Sequence, residues 1–215
     1  MTVAVVPAAG RGERLGTAGP KAMVRLHGLP LIAHAVRGLL DAGRVRHVVV
    51  AAPADHVAEV AEALASFEPV TVVPGGADRT ESVLLALRAA TTLVPDARSV
   101  LVHDVSRALT PPALVHAVTD ALAEGHQAVV PVLPVADTVK CVDAAGVILS
   151  TPDRTALRAV QSPQGFTHDV LHRALAAGGV LEKVDIPVHT VPGDVAAMSI
   201  TTPFDLTVAG AVLAR

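Results

Sequence analysis

His47-Val48-Val49-Val50-Ala51 is a short β-branched run with no alternation of apolar and polar residues. A strand with one wet face alternates, so an unbroken apolar run of this length points to a strand covered by helices on both sides, as in a parallel sheet. Similar runs recur at 3–6, 70–73, 99–103 and 128–132, and stretches of helical spacing lie between them at 31–40, 55–66, 80–90 and 111–124. Pro30 and Pro111 suit the first turns of two of these helices, where a missing N–H costs nothing. The fold class expected is therefore α/β, with a doubly wound, mostly parallel sheet.

The alternation stops after Pro134. Residues 137–143, a turn at Ala144-Ala145-Gly146, and residues 147–150 read as a β-hairpin. An isolated hairpin is barely stable in water, so a β-arm at about 135–158 needs support, and a second copy of the chain is the partner expected. Beyond it come a helix near 167–177, a strand around 187–191 and a last helix opened by Thr202-Pro203-Phe204-Asp205. There Thr at the N-cap, Pro at the first position and an acid at the third are explained by capping alone. No internal repeat or linker divides the 215 residues, so one domain over 1–215 is expected.

Lys and Arg total 17 against 20 Asp and Glu, a net charge of −3, and the chain has three Phe, no Trp and no Tyr. Neither the basic face nor the stacking platforms of a nucleic-acid binder are present. The longest stretches without a charged residue, 108–119 and 125–136, have twelve residues each and contain Pro. A bilayer span takes about 20 apolar residues, so no membrane partner is expected either. The single cysteine, Cys141, cannot form an internal disulfide, and the N-terminal residues lack the basic region of a secretory signal. A cytoplasmic location is expected.

Ligands of parallel sheets bind at the carboxyl ends of the strands, which directs attention to the loop after the first strand. It contains Pro7-Ala8-Ala9-Gly10-Arg11-Gly12 and continues through Arg14 to Pro20-Lys21. Small residues let the backbone approach a phosphate chain, and the two cations supply charge. The dinucleotide fingerprint fails because Leu15 stands where it needs Gly, and the triphosphatase loop fails because Lys21 is followed by Ala22 rather than Ser or Thr. An ordinary glycine-rich surface loop remains the plain alternative.

Pro7-Ala8-Ala9-Gly10-x-Gly12-x-Arg14-Leu15 with Pro20-Lys21 resembles the nucleotide loop of the sugar nucleotidyltransferases. Three further segments follow in order: Gly75-Gly76-Ala77-Asp78-Arg79-Thr80-Glu81-Ser82-Val83, Val102-His103-Asp104-Val105-Ser106-Arg107, and Asp137-Thr138-Val139-Lys140 with Gln161-Ser162-Pro163-Gln164-Gly165-Phe166. Together they resemble the 2-C-methyl-D-erythritol 4-phosphate cytidylyltransferase family of the non-mevalonate isoprenoid pathway. That resemblance implies coupling of CTP with a polyol phosphate, with Mg²⁺ as the cofactor and a homodimer formed through the arm. It implies Arg14, Lys21 and Arg154 as catalytic residues, and Pro7, Ala8, Ala9, Gly10, Arg11 and Gly12 as the loop around the nucleotide. Gly75, Gly76, Arg79 and Ser82 match the base-recognition segment. Asp104 matches the acid beside the metal and the reacting phosphates, and Arg107 a residue on the polyol phosphate. Thr138, Arg154 and Ser162 match residues delivered by the arm into a partner's site. His103 precedes Asp104 on the opposite face of its strand and reads as packing.

The departures from the family pattern sit on the polyol-phosphate side. Ser199 stands where the family carries Lys, Ser162 replaces a usual Thr, Ala108-Leu109 replaces Pro-Phe, and an acidic Asp-Asp-Ala stretch between the late helix and strand is missing. Two further readings therefore stay open: a cytidylyltransferase for another polyol phosphate such as ribitol 5-phosphate, and a paralogue that binds CTP without turning it over.

Overall fold

A computed structural model describes residues 1–10, 15 and 19–214. Three residues expected at the nucleotide, Arg11, Gly12 and Arg14, lie outside the described residues. The first half of the chain forms β1 (Thr2–Pro7), β2 (Arg25–Leu26), β3 (Leu29–Pro30), α1 (Leu31–Asp41), β4 (Val45–Ala52), α2 (Val57–Ala63), β5 (Val70–Pro74), α3 (Arg79–Leu93) and β6 (Ser99–Val102). The second half forms α4 (Pro112–Ala123), β7 (Ala128–Pro134), β8 (Cys141–Val142), β9 (Ile148–Ser150), β10 (Arg158–Val160), β11 (Gln164–Thr167), α5 (His168–Ala176), β12 (His189–Pro192) and α6 (Pro203–Leu213). Pro30 and Pro111 act as N-cap residues of α1 and α4, one position earlier than expected.

Strand β1 lies between β4 and β6 and is parallel to both, with β5 parallel to the far edge of β4. Its two faces confirm the reading of the apolar runs. Ala4, Val6, Val48 and Val50 join the core beneath α1, α2 and α4, where Ile32, Val36, Val60 and Val115 are buried. Val3, Val5, Val49 and Ala51 join a second core beneath α3 and α5, with Val83, Leu87, Leu171 and Phe166. Each fully buried valine contributes about 1.5–3 kcal/mol, so the runs hold the sheet between two helical layers. Because β4 and β6 flank β1 and their connections depart in opposite directions, a crevice opens at its carboxyl end.

Beyond β6 the sheet changes direction. Strand β11 is antiparallel to β6 and β7, β10 is antiparallel to β7, and β12 runs parallel to β7. Val160 pairs with Val132 and Gly165 with Val129, so the strand from β10 to β11 carries extra residues in a bulge that contains Ser162. Gln161 N–H donates to Pro131 O at 2.8 Å, and Pro131, which has no N–H, sits opposite the bulge.

Two parts of the fold depart from the sequence expectation. The hairpin of β2 and β3 has only two residues per strand and was not anticipated. Its His27-Gly28 turn has φ of 47° and 83°, the paired positive values of a type I′ turn, and buried His34 Nε2 lies 2.9 Å from Leu26 O behind it. The arm is less regular than expected. Its paired strands shrink to β8 and β9, and Val147, Ile148 and Leu149 are 59%, 59% and 66% exposed. The final helix matches its reading: Thr202 and Asp205 form a reciprocal capping box.

Candidate active site

A cleft of about 630 Å³ opens at the carboxyl ends of β1, β5 and β6. Its walls come from the loop after β1 (Pro7, Ala9, Gly10, Leu15, Lys21), the turn into α3 (Gly76 to Arg79, and Ser82), the end of β6 (Asp104, Val105) and Thr201. The loop is tied down at both ends by main-chain bonds. Ala8 N–H donates to Ala51 O at 2.8 Å, and Lys21 N–H donates to Gly10 O at 3.1 Å. Ala8 is buried against the sheet and supports the loop rather than lining the cleft.

The turn into α3 is shaped by its own side chains. Asp78 caps the helix by accepting from Glu81 N–H, and the Glu81 carboxylate accepts from Ala77 N–H. Ser82 is fully buried; its hydroxyl accepts from Gly76 N–H at 3.0 Å and donates to Asp78 O at 2.8 Å. The hydroxyl assigned to base recognition thus holds the turn in shape. A Cβ on Gly75 would come within 3.2 Å of Ser82 Oγ, Ala52 O and Ala9 Cβ, so the close approach of turn, sheet and loop favours glycine there.

Asp104 follows β6, and both ends of the residue are held. Its carboxylate Oδ1 accepts from Ser106 N–H at 2.9 Å and from Ser106 Oγ at 2.8 Å, while Oδ2 faces Arg79 Nη1 at 3.5 Å. Burial acts to raise its pKa, but the Ser106 N–H, the Arg79 charge, the Ser106 hydroxyl and the Lys21 charge together outweigh it. The carboxyl is held below its ordinary value and is ionised near neutral pH. The Arg79 pair is partly exposed, with side-chain exposures of 46% and 38%. Such a pair contributes at most about 1 kcal/mol and exchanges easily for a ligand.

Asp104 N–H donates to Ser162 Oγ at 3.0 Å, and His103 Nδ1 lies 3.0 Å from the same oxygen. Two expectations are corrected here. Ser162 is buried in the bulge of the main sheet beside Asp104 of its own chain, so it is not carried by the arm to another subunit. His103 is more than packing, because it anchors that serine. Burial, the dominant influence, pushes its pKa down to about 4 and keeps the ring neutral.

Arg107 is placed at the edge of this cluster, with Nη1 donating to Ala197 O at 2.6 Å and Nη2 to Val160 O at 2.9 Å. Its guanidinium clamps the turn at residues 195–197 to the end of β10. Thr138 and Arg154 lie on the arm and outside the cleft wall; Arg154 Nη1 donates to Ala136 O at 2.6 Å. Thr201 was missed by the sequence reading. Its N–H and hydroxyl both donate to Asp205 Oδ2 at 2.8 Å, and these bonds, the largest influence, hold the Asp205 carboxyl at about 2. The capping box at 202–205 was the available signal, since it fixes the residue before it.

Among the described residues no group of three His, Cys, Asp or Glu is arranged to hold a metal by protein ligands alone. The donor set does fit Mg²⁺ shared with a substrate. That ion takes one or two carboxylates plus phosphate oxygens, and Asp104 Oδ2 is an ionised oxygen facing the cleft.

Comparison with known proteins gives the family. The family model described as 2-C-methyl-D-erythritol 4-phosphate cytidylyltransferase matches residues 2–215. A protein of that name from Saccharopolyspora erythraea is 58% identical over 221 residues, covering 99% of both chains. One from Nocardia farcinica is 54% identical, covering 99% of this chain and 94% of the relative. The crystal structure of the Thermus thermophilus protein of the same name superposes with a TM-score of 0.77 at 32% identity over all of both chains. A 4-diphosphocytidyl-2C-methyl-D-erythritol synthase structure from Anaerococcus prevotii reaches a TM-score of 0.84 at 22% identity, covering 100% of this chain and 99% of that one, a likeness of fold. The chain belongs to the 2-C-methyl-D-erythritol 4-phosphate cytidylyltransferase family.

Proposed function

We propose that this protein couples CTP with 2-C-methyl-D-erythritol 4-phosphate to give CDP-methylerythritol and pyrophosphate, a step in isoprenoid precursor synthesis. The observation that carries the reading is family membership over residues 2–215, and the cleft supplies the chemistry it needs. An anionic oxygen of the polyol phosphate attacks the α-phosphorus of CTP in line. The bond from that phosphorus to the bridging oxygen breaks, and pyrophosphate leaves with the electron pair. The attacking phosphate is already ionised near neutral pH, so no general base is required.

The protein's task is to bring two anions together and to balance charge on the five-coordinate phosphorus. Lys21 reaches the cleft beside Asp104, and Arg79 sits across from it at the start of α3. Arg14, placed by resemblance, joins Lys21 in this role. Asp104 would hold Mg²⁺, which would supply positive charge to offset the negative charge developing on the departing pyrophosphate. The pinned ends of the loop after β1 hold the triphosphate path in place before substrate arrives.

The arm completes the reading. Its exposed Val147, Ile148 and Leu149 favour burial against a second copy, and in the resulting homodimer Thr138 and Arg154 serve the neighbouring site. A cytoplasmic location is part of the same proposal and rests on the lone Cys141. Pyrophosphate release from CTP, measured with each polyol phosphate, tests the function. Turnover with methylerythritol 4-phosphate is expected. Turnover with ribitol 5-phosphate alone would establish the alternative substrate, which Ser199 in place of the family's lysine favours. CTP binding with no turnover of either would leave a nucleotide-binding paralogue.

A further inference from the structure

Ser199 Oγ and Ser106 Oγ meet at 2.9 Å, and chemistry sets the direction of the proton between them. Ser106 Oγ lies 2.8 Å from Asp104 Oδ1, an ionised oxygen that only accepts, so the single Ser106 proton is committed there. Ser106 Oγ then has only lone pairs to offer, and Ser199 must be the donor. The Ser199 proton is thereby used within the protein and is not available to a phosphate.

The contact lies at a rigid crossing. Ser106 is 2% exposed, and Ile200 N–H donates to Ser106 O at 2.8 Å, joining the same two segments through the main chain. On the far side, Thr201 is fastened to Asp205 by its N–H and hydroxyl. With Oδ1 held by the Ser106 N–H and hydroxyl, the other carboxylate oxygen is directed toward Arg79 and the cleft. A charge-assisted bond is roughly twice as strong as a neutral one, and a donor placed behind it polarises it further.

We propose that Ser199 and Ser106 form a serial hydrogen-bond chain that positions the Asp104 carboxylate for the reacting phosphates, with Ser199 as the outer positioning residue. The chain links the segment before α6 to the end of β6, so the position of Asp104 depends on the C-terminal part of the fold. What Asp104 then meets rests on the function proposed above; the chain itself rests on the geometry.

Two measurements test it. In ligand-free crystals of Ser106→Ala, the Asp104 carboxylate is expected to leave its single orientation; an orientation identical to that of the unmutated protein would overturn the proposal. In steady-state turnover, Ser106→Ala is expected to lower kcat about tenfold and Ser199→Ala about threefold, with KM for CTP changed less than about twofold. The double variant should match Ser106→Ala alone, because a serial chain is cut once; losses that multiply would refute the series. Ser199→Thr, which keeps the hydroxyl, should restore the rate, and a Thr variant as slow as the Ala variant would overturn the donor role. If Ser106→Ala fails to fold, Ser199→Ala and Ser199→Thr decide the question. If no polyol phosphate is turned over, the crystal comparison still tests the chain while the proposed function fails separately.

Discussion

The cleft and the arm are built by opposite means. The cleft is made of strand ends and one helix start. Its loop is pinned by Ala8 to Ala51 and by Lys21 to Gly10, its turn is held by Ser82, and its acid is fixed by Ser106 and Ser162. The arm has only β8 and β9, which form a sheet of their own apart from the main one, and Val142, Val147, Ile148 and Leu149 are exposed. A region that satisfies its hydrogen bonds internally is organised before substrate binds. A region that leaves valine, isoleucine and leucine in water carries apolar surface that burial against another surface would stabilise.

The sharpest way to break this comparison is at Lys21. Lys21→Ala is expected to cut turnover by about 10²–10³ while unfolding is unchanged, because the main-chain bond to Gly10 survives the substitution. A rate near that of the unmutated protein would remove the cleft's claim to the chemistry.

The next effect concerns stability and pH. His103 has an ordinary pKa of 6.5 and, because of burial, a folded value of about 4. Between those values the unfolded chain takes up a proton that the folded protein refuses. Stability is therefore full above pH 6.5 and falls as pH drops toward 4, by about 3 kcal/mol in all. Denaturant unfolding across that interval measures it, and His103→Asn should flatten this part of the slope. A variant with the same slope would mean that His103 is not the group refusing the proton.

For the arm, mixing is the informative experiment. Arg154→Ala and Lys21→Ala proteins, each inactive, should regain about a quarter of full activity once subunits exchange, since half the dimers are mixed and each holds one intact site. No recovery despite demonstrated exchange would place Arg154 outside a shared site. The smallest effect is also in the arm: Ile148→Ser should change the stability of the separated monomer by less than about 0.5 kcal/mol. A larger loss would show that the arm is folded against its own domain.

The alternation of valine runs with helical spacing was enough to read the layers, because burial on both faces leaves a one-dimensional trace in composition. The turn at Gly75 was legible for a similar reason: a Cβ there would crowd Ser82, Ala52 and Ala9. Thr201 left only the capping box beside it, and the pairing of Ser106 with Ser199 left no trace at all. They are 93 residues apart for the serines, and two hydroxyls look the same in a sequence whether they meet or face water. The family resemblance assigns Ser162 to the arm, whereas the bulge opposite Pro131 places it in the main sheet.

The amino-acid sequence by itself determined the α/β class, the glycine-rich loop after the first strand and the helix starts, since these follow from local periodicity, glycine placement and capping chemistry. Tertiary structure alone decided which side chains hold Asp104, that Arg107 clamps main-chain carbonyls, and that Ser162 serves its own chain. Those outcomes depend on register and on the direction of individual hydrogen bonds, which arise only when distant segments are brought to within about 3 Å of each other.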